Sequence, residues 1–408
     1  MAETSQDKRP GLAIIANCAT PYRIHQHMLL SSGLPELRLH TLITHDDADF
    51  KWTLPHHESI NVIHFGRKGD SPLDSTLHAP LYEWRKGARL IHHIQANDIR
   101  AVIIFGLRYI SYLRTIHYCH GKSIPVFVNN DSNIRSERPL SPLTKWMKRP
   151  IYAWWLRRVS GVMPMGELGE QFFLKYGADP QRLYRVPYTP DYDGFATVDA
   201  GRLQRFHHLY GLTEGRRYLL FSGRLAPVKR VDLLIDAFAG MADERPEWDL
   251  LIVGDGALRD ALRRRVPDRL RQRVVWTGFL EQEDLTLAYH AADVLVLPSD
   301  REPWAVVVQE ALAAGLAVVA SDVVGAAHEL VKDGVTGRIF AAGRGDALKQ
   351  ALLDVTRPEE IDRLKQNSRQ ALREWRDQVD PVAEVRRALA DAGVLPNGAR
   401  PANPGPAN

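Results

Sequence analysis

Ten short apolar runs, arranged as two series of five with amphipathic stretches between them, constrain this chain more than any other feature. In the first series Gly11–Asn17, Leu37–Thr44, Ala101–Gly106, Ile124–Asn130 and Gly161–Gly166 read as buried strands, and Tyr82–Asn97 has helical period. The second series is Tyr218–Gly223, Asp249–Gly256, Val274–Phe279, Asp293–Ser299 and Leu316–Asp322. Helical patterns at Val231–Glu244, Ala257–Val266 and Glu283–Ala292 separate its members. Continuous apolar runs fit strands covered on both faces, and helices between them make those strands parallel. The expected fold class is therefore α/β, with two Rossmann-like parallel-sheet domains. A length of 408 residues suits two such domains and a tail.

The stretch Tyr184–Arg202 has no helical period and contains Pro187 and Pro190, so it reads as the linker. We place the domains at 1–190 and 191–372, followed by a C-terminal helix at 373–394 that packs back toward the first domain. The final stretch, 395–408, is rich in Pro, Gly, Ala and Asn and reads as disordered.

The two halves differ in charge. Residues 1–190 carry 24 Lys and Arg against 16 Asp and Glu, a net +8, whereas residues 191–408 carry a net −4. A basic half fits an anionic partner or simply a solvated surface. The two cysteines, Cys18 and Cys119, have neither metal-ligand nor disulfide spacing, which favours a reducing cytoplasm. Residues Met1–Pro10 lack the apolar core of a signal peptide, and no apolar run approaches the ~20 residues of a membrane span.

Three segments carry the chemistry. In Ser299–Gly315 a strand gives way to a short loop and then a helix starting near Ala305. The amides of Trp304, Ala305, Val306 and Val307 then form an anion site suited to a diphosphate. Glu302 and Glu310 flank that start; carboxylates beside a phosphate are better used on sugar or ribose hydroxyls. In Ser222–Phe238 the strand ends at Gly223, and Arg224 and Lys229 offer fixed positive charge before the next helix. Taken singly, each segment also fits an ordinary surface loop. In Leu251–Leu262, Gly254 and Gly256 lack the third glycine of a dinucleotide fingerprint, which leaves a tight strand-to-helix turn.

Over residues 219–340 these segments occur in an order that resembles the C-terminal domain of retaining GT-B glycosyltransferases bearing the E-x7-E signature, the family 4 group. The resemblance implies a GT-B fold, with two domains facing across a cleft. It implies that Gly223, Arg224 and Lys229 hold a donor diphosphate together with the amides of Trp304 to Val307. It further places Glu310 on ribose hydroxyls, Glu302 by the donor sugar, and Phe279 and Leu280 at the base edge. Glu302, Lys229 and Arg224 are the implied catalytic residues. The family often has Phe-Gly where this chain has Trp304-Ala305.

The start Ala16–Leu30, with Thr20-Pro21-Tyr22-Arg23, resembles a subgroup that builds bacterial surface polysaccharides and related glycans. The histidine common after the fourth strand is absent. Asn130, Asp131 and Arg135 are the candidates for contacting the sugar, with an ordinary loop as the equal alternative, and Thr20, Pro21 and Tyr22 are counted with them in the acceptor or sugar pocket.

The function implied is a retaining, metal-independent hexosyltransferase without a cofactor. It would move a sugar from a UDP- or GDP-sugar to a hydroxyl of a glycan, glycolipid or small molecule. A nucleotide-sugar epimerase and a non-catalytic nucleotide- or glycan-binding protein are the alternatives. Asp47-Ala-Asp49 and Asp191-Tyr-Asp193 match the short DxD pattern, and His56-His57 and His92-His93 are adjacent pairs, but none has convincing metal spacing in context. Lys145–Val159 mixes five cations with three Trp and one Tyr. That composition fits the cytoplasmic face of an anionic membrane, or a helix packed on the first sheet. No nucleic-acid-binding module is visible, so nucleic acid is not an expected partner.

Overall fold

The computed structural model describes residues 9–45, 52, 60–67, 79–137 and 141–396. The pairs Asp47-Ala-Asp49 and His56-His57 and most of the 395–408 tail lie outside these residues.

Two six-stranded sheets form, with every named strand pair parallel. The first contains β1 (Gly11–Ala16), β2 (Arg38–Ile43), β3 (Asn61–His64), β4 (Ile99–Phe105), β5 (Val126–Asn130) and β6 (Gly161–Pro164). The second contains β7 (Arg217–Ser222), β8 (Trp248–Val253), β9 (Val274–Gly278), β10 (Val294–Leu297), β11 (Ala317–Ser321) and β12 (Gly337–Phe340). Their orders are β3-β2-β1-β4-β5-β6 and β12-β11-β10-β7-β8-β9, the same winding repeated. The chain reverses direction across each sheet between β1 and β4, and again between β7 and β10. Crevices open beyond the strand ends at such points.

The central strands are continuous apolar runs because helices cover both faces; β1, β8 and β11 are buried at every position. The sequence pattern does not reveal β3 or β12. Both are four-residue edge strands, Asn-Val-Ile-His and Gly-Arg-Ile-Phe, partly open to solvent and too polar to form an apolar run.

The crossover after β6 also differs from the sequence reading. Where Tyr184–Arg202 reads as non-helical, helices form at Tyr192–Ala196 and Ala200–Tyr210. Each begins at an aspartate whose carboxylate accepts a backbone N–H, Asp191 from Gly194 and Asp199 from Arg202. Asp191 is thus a helix cap. At the other end, the helix Pro358–Gln378 runs through position 372, and the break comes at Val379-Asp380. The following helix, Pro381–Asp391, buries Val385, Ala388 and Leu389 among Leu12, Ile14, Leu30 and Leu34 of the first domain. Arg386 donates to Glu36 and to the Gly33 carbonyl. The chain therefore crosses between the two sheets twice.

Candidate functional site

A cavity of about 730 Å³ lies where the carboxyl ends of the two sheets face each other. Its second-domain wall is built from successive strand-to-helix loops. Ser222 ends β7, and Gly223 and Arg224 follow it; after β8 come Gly254, Asp255 and Gly256; after β9, Phe279 and Leu280. Gly254 has φ +128°, and a Cβ there would fall 2.0 Å from the Gly223 carbonyl oxygen. Only glycine lets these two loops touch, which brings bare backbone to the cavity. The glycines read from sequence as a turn therefore also line the site.

The loop after β10 supplies Glu302, Trp304 and Ala305, and the helix Val306–Ala314 opens onto the cavity with Val306 and Val307. Ala305 sits at φ +76°, in the left-handed region that a residue with a Cβ seldom enters. The helix therefore starts one residue later than the sequence suggests, and no side chain caps it. Ala305, Val306 and Val307 at this start line the cavity, and the first amides of a helix have no intrahelical acceptor, the arrangement that attracts an anion. The first domain holds this loop in place. Asn133 Nδ2 donates to the carbonyls of Glu302 at 3.1 Å, Pro303 at 2.8 Å and Val323 at 3.2 Å. Trp304 Nε1 donates to Gln309 Oε1, and Gln309 Nε2 donates to the Tyr188 carbonyl and to Tyr192 Oη.

Lys229 Nζ donates to Glu302 Oε2, and Ser299 Oγ approaches the same oxygen at 3.4 Å. The cation and the first glutamate of the spaced pair thus share one spot. Glu310 is buried, and burial pushes its carboxyl up to about 7, against the opposing effect of the hydrogen bond that Tyr289 Oη donates at 2.7 Å.

The first-domain wall comprises Thr20, Pro21, Tyr22, Asp131 and Tyr188. Behind it lies Arg23, whose role the sequence does not announce. Its guanidinium is buried and donates to Asn17 Oδ1 at 2.9 Å, the Cys18 carbonyl at 2.8 Å and Tyr188 Oη at 2.9 Å. It also lies over the rings of Phe105 and Tyr188. Burial pushes the Asp131 carboxyl up; Arg23 opposes this and Glu302 adds to it. Trp52 reaches across to Phe279, with ring centroids 5.0 Å apart.

All the residues read as donor-binding line this one cavity: Gly223, Arg224, Lys229, Phe279, Leu280, Glu302, Trp304, Ala305, Val306, Val307 and Glu310. Thr20, Pro21, Tyr22 and Asp131 line its other side. Asn130 and Arg135 are used elsewhere: the Asn130 side-chain oxygen accepts from the Ser132 amide, and Arg135 donates to the Asp322 carbonyl across the domain boundary. Tyr188, Asp255 and Asn133 were missed by the sequence reading. The Asn-Asn-Asp-Ser-Asn run at 129–133 was the one signal for Asn133. Among the described residues no cluster of three or more His, Cys, Asp or Glu side chains is arranged to hold a metal ion.

Residues 205–371 match the family described as glycosyl transferases group 1. An alpha-D-kanosaminyltransferase of Streptomyces kanamyceticus is 29% identical over 239 residues, covering 57% of this chain and 59% of that protein. A D-inositol 3-phosphate glycosyltransferase of Geodermatophilus obscurus is 35% identical over 192 residues, covering 42% of this chain and 39% of that protein. The chain thus matches less than two thirds of the length of each of these relatives. Among solved structures, Anabaena Alr3699/HepE in complex with UDP and glucose aligns over 95% of this chain and all of its own, with TM-score 0.70 and 17% identity. WaaG, a glycosyltransferase involved in lipopolysaccharide biosynthesis, aligns over 94% of this chain and all of its own, with TM-score 0.66 and 19% identity. The overall fold is GT-B.

Proposed function

We propose that this chain is a retaining glycosyltransferase that moves a sugar from a nucleoside-diphosphate sugar, with UDP or GDP as the nucleotide, to a hydroxyl of a glycan, glycolipid or small-molecule acceptor. The observation that carries this reading is the convergence of Arg224, Lys229, Glu302, Glu310 and an uncapped helix start on one cavity wall. The family match over 205–371 supports it, as does the likeness to a protein solved with UDP and glucose.

In this reading the donor diphosphate lies against Arg224, Lys229 and the amides of Val306 and Val307. It takes Lys229 from its present partner Glu302. That exchange leaves the Glu302 carboxylate facing the sugar carbon where positive charge develops. The bond from that carbon to the phosphate oxygen breaks, and the acceptor oxygen bonds to the same face. The acceptor proton passes to the departing phosphate. The Glu310 carboxylate accepts hydrogen bonds from the ribose hydroxyls. Arg224, Lys229 and the helix amides neutralise the leaving group, so this mechanism calls on no metal or other cofactor. The acceptor lies against Thr20–Tyr22 and Asp131, and domain closure excludes water and favours transfer over hydrolysis.

The test is incubation with UDP- and GDP-sugars, with and without sugar acceptors, followed by analysis of the products. Transfer with retained anomeric configuration is the expected result. An epimerised donor, or binding without turnover, would point to the alternatives.

A further inference from the structure

The helix Pro142–Leu156 is apolar on the side that has no partner among the described residues. Its inner side is well occupied. Leu156 is buried in the first-domain core, Tyr152 packs on Phe172 and Tyr176, and Lys148 Nζ donates to Glu137 Oε1 at 2.5 Å. At 100° per residue, Leu143, Trp146, Met147, Ile151 and Trp154 share an arc of about 140° on the opposite side. All five are exposed, Trp146 at 75% and Leu143 at 65%. Single exposed apolar residues are ordinary, but five together on one face mark an interaction surface.

Charge selects the partner. No Asp or Glu occurs between Ser141 and Gly166, while Arg149 and Arg157 are exposed and the Arg158 guanidinium lies 3.4 Å from the centre of the Trp154 ring. A second copy related by a two-fold axis would bring these cations against each other. A nucleic acid would make little use of Leu143, Met147 and Ile151. Aromatic and aliphatic side chains flanked by arginines suit an anionic phospholipid surface.

We propose that this face seats the protein on an anionic bilayer, and that the acceptor is lipid-linked and held in the same bilayer. The second half of this proposal rests on the glycosyltransferase reading. The helix is tied to the cavity by one loop: Asp131 lines the site, Asn133 clamps the Glu302 loop, and Glu137 binds Lys148 of the helix. Seating the helix therefore fixes the cavity relative to the membrane plane.

The experiment is flotation of the full chain with phosphatidylglycerol–phosphatidylcholine vesicles, with phosphatidylcholine vesicles for comparison. The wild type is expected to float with the anionic vesicles, less so at high salt. A Trp146→Ser, Ile151→Ser double variant loses at least about tenfold in partitioning, since burying one such side chain is worth about that factor. Arg149→Glu with Arg157→Glu loses at least about thirtyfold, and only on anionic vesicles. Each variant is checked by its thermal melt and by titration with UDP- and GDP-sugars, both of which should be unchanged. The proposal is overturned if the wild type stays in the soluble fraction at every lipid level or the Trp146→Ser, Ile151→Ser variant floats equally well. Self-association or oligonucleotide binding that this variant abolishes would also overturn it, by assigning the face to another partner. Flotation without nucleotide-sugar binding would leave the membrane seat standing and sink the glycosyltransferase reading. Nucleotide-sugar binding without flotation would do the reverse.

Discussion

The two walls of the cavity are made in different ways. The second-domain wall comes from consecutive strand-to-helix loops, each bringing its residues by a local device: a glycine contact, a cation before a helix, or a helix start. The first-domain wall is assembled from distant pieces. Thr20–Tyr22 follow β1, Asp131 follows β5, Tyr188 belongs to the crossover, and Arg23 binds Tyr188 from behind. The first kind of wall presents fixed charge to a charged ligand. Among the described residues the second is mainly aromatic and hydroxyl-bearing, with Asp131 as its carboxylate and Asp191 beside it at the end of the crossover. This difference suggests a division of labour in which the second domain recognises the constant part of the donor and the first domain the acceptor.

The largest effect that could break this division comes from the Lys229–Glu302 pair. Lys229→Ala and Glu302→Ala should each cut turnover about 10²–10³-fold while the thermal melt shows an intact fold. Near-normal rates in a folded variant would remove the catalytic assignment. Next comes the contact between the walls. Asn133→Ala leaves the Glu302 and Pro303 carbonyls of the strained loop, and the Val323 carbonyl after β11, without their shared donor, and should cost about 1–3 kcal/mol in unfolding free energy. Denaturant titration measures this, and an unchanged midpoint would show that the loop holds its own shape.

A third test sharpens the donor side through pH. The Glu310 carboxyl lies above its ordinary value of 4.5, at about 7, so in the empty protein it ionises later than in the unfolded chain. Stability is then complete below about 4.5 and falls as pH rises through 7. Glu310→Gln should abolish that fall in pH-dependent melts. In the proposed donor pose ribose hydroxyls bind the ionised form, so on that reading donor affinity of the wild type should rise with pH up to about 7 and that of the variant stay flat. The smallest effect concerns the other wall. Asp131→Asn should raise the acceptor KM only modestly, because the neutral amide oxygen still accepts a hydrogen bond, and leave donor affinity within about twofold, because Asp131 lies on the wall opposite the proposed donor residues. A large loss of donor affinity would show that the walls do not divide the substrates.

The same contrast explains what could be read from sequence. Buried central strands such as β1 and β8 are legible because a doubly covered strand must be apolar throughout, whereas β3 and β12 hide at open edges. Arg224, Lys229, Glu302 and Glu310 were visible because short spacings tie each to a strand end or helix start. Tyr188 and Arg23 were not, since their meeting depends on residues 165 positions apart. Asn130 and Arg135 looked like cavity residues by position along the chain, yet a local turn takes one and the domain contact takes the other. The outward face of Pro142–Leu156 was half legible: composition showed the aromatic and basic mixture, but only packing shows which side faces out.

The most direct test of the central claim is calorimetric titration of the wild type and of Lys229→Ala with UDP- and GDP-sugars. One donor class should bind the wild type, and at a hundred times its dissociation constant should add about 2.7 kcal/mol of stability. Lys229→Ala should lose that binding. Failure of every nucleotide sugar to bind the wild type, or equal binding by the variant, would contradict the account.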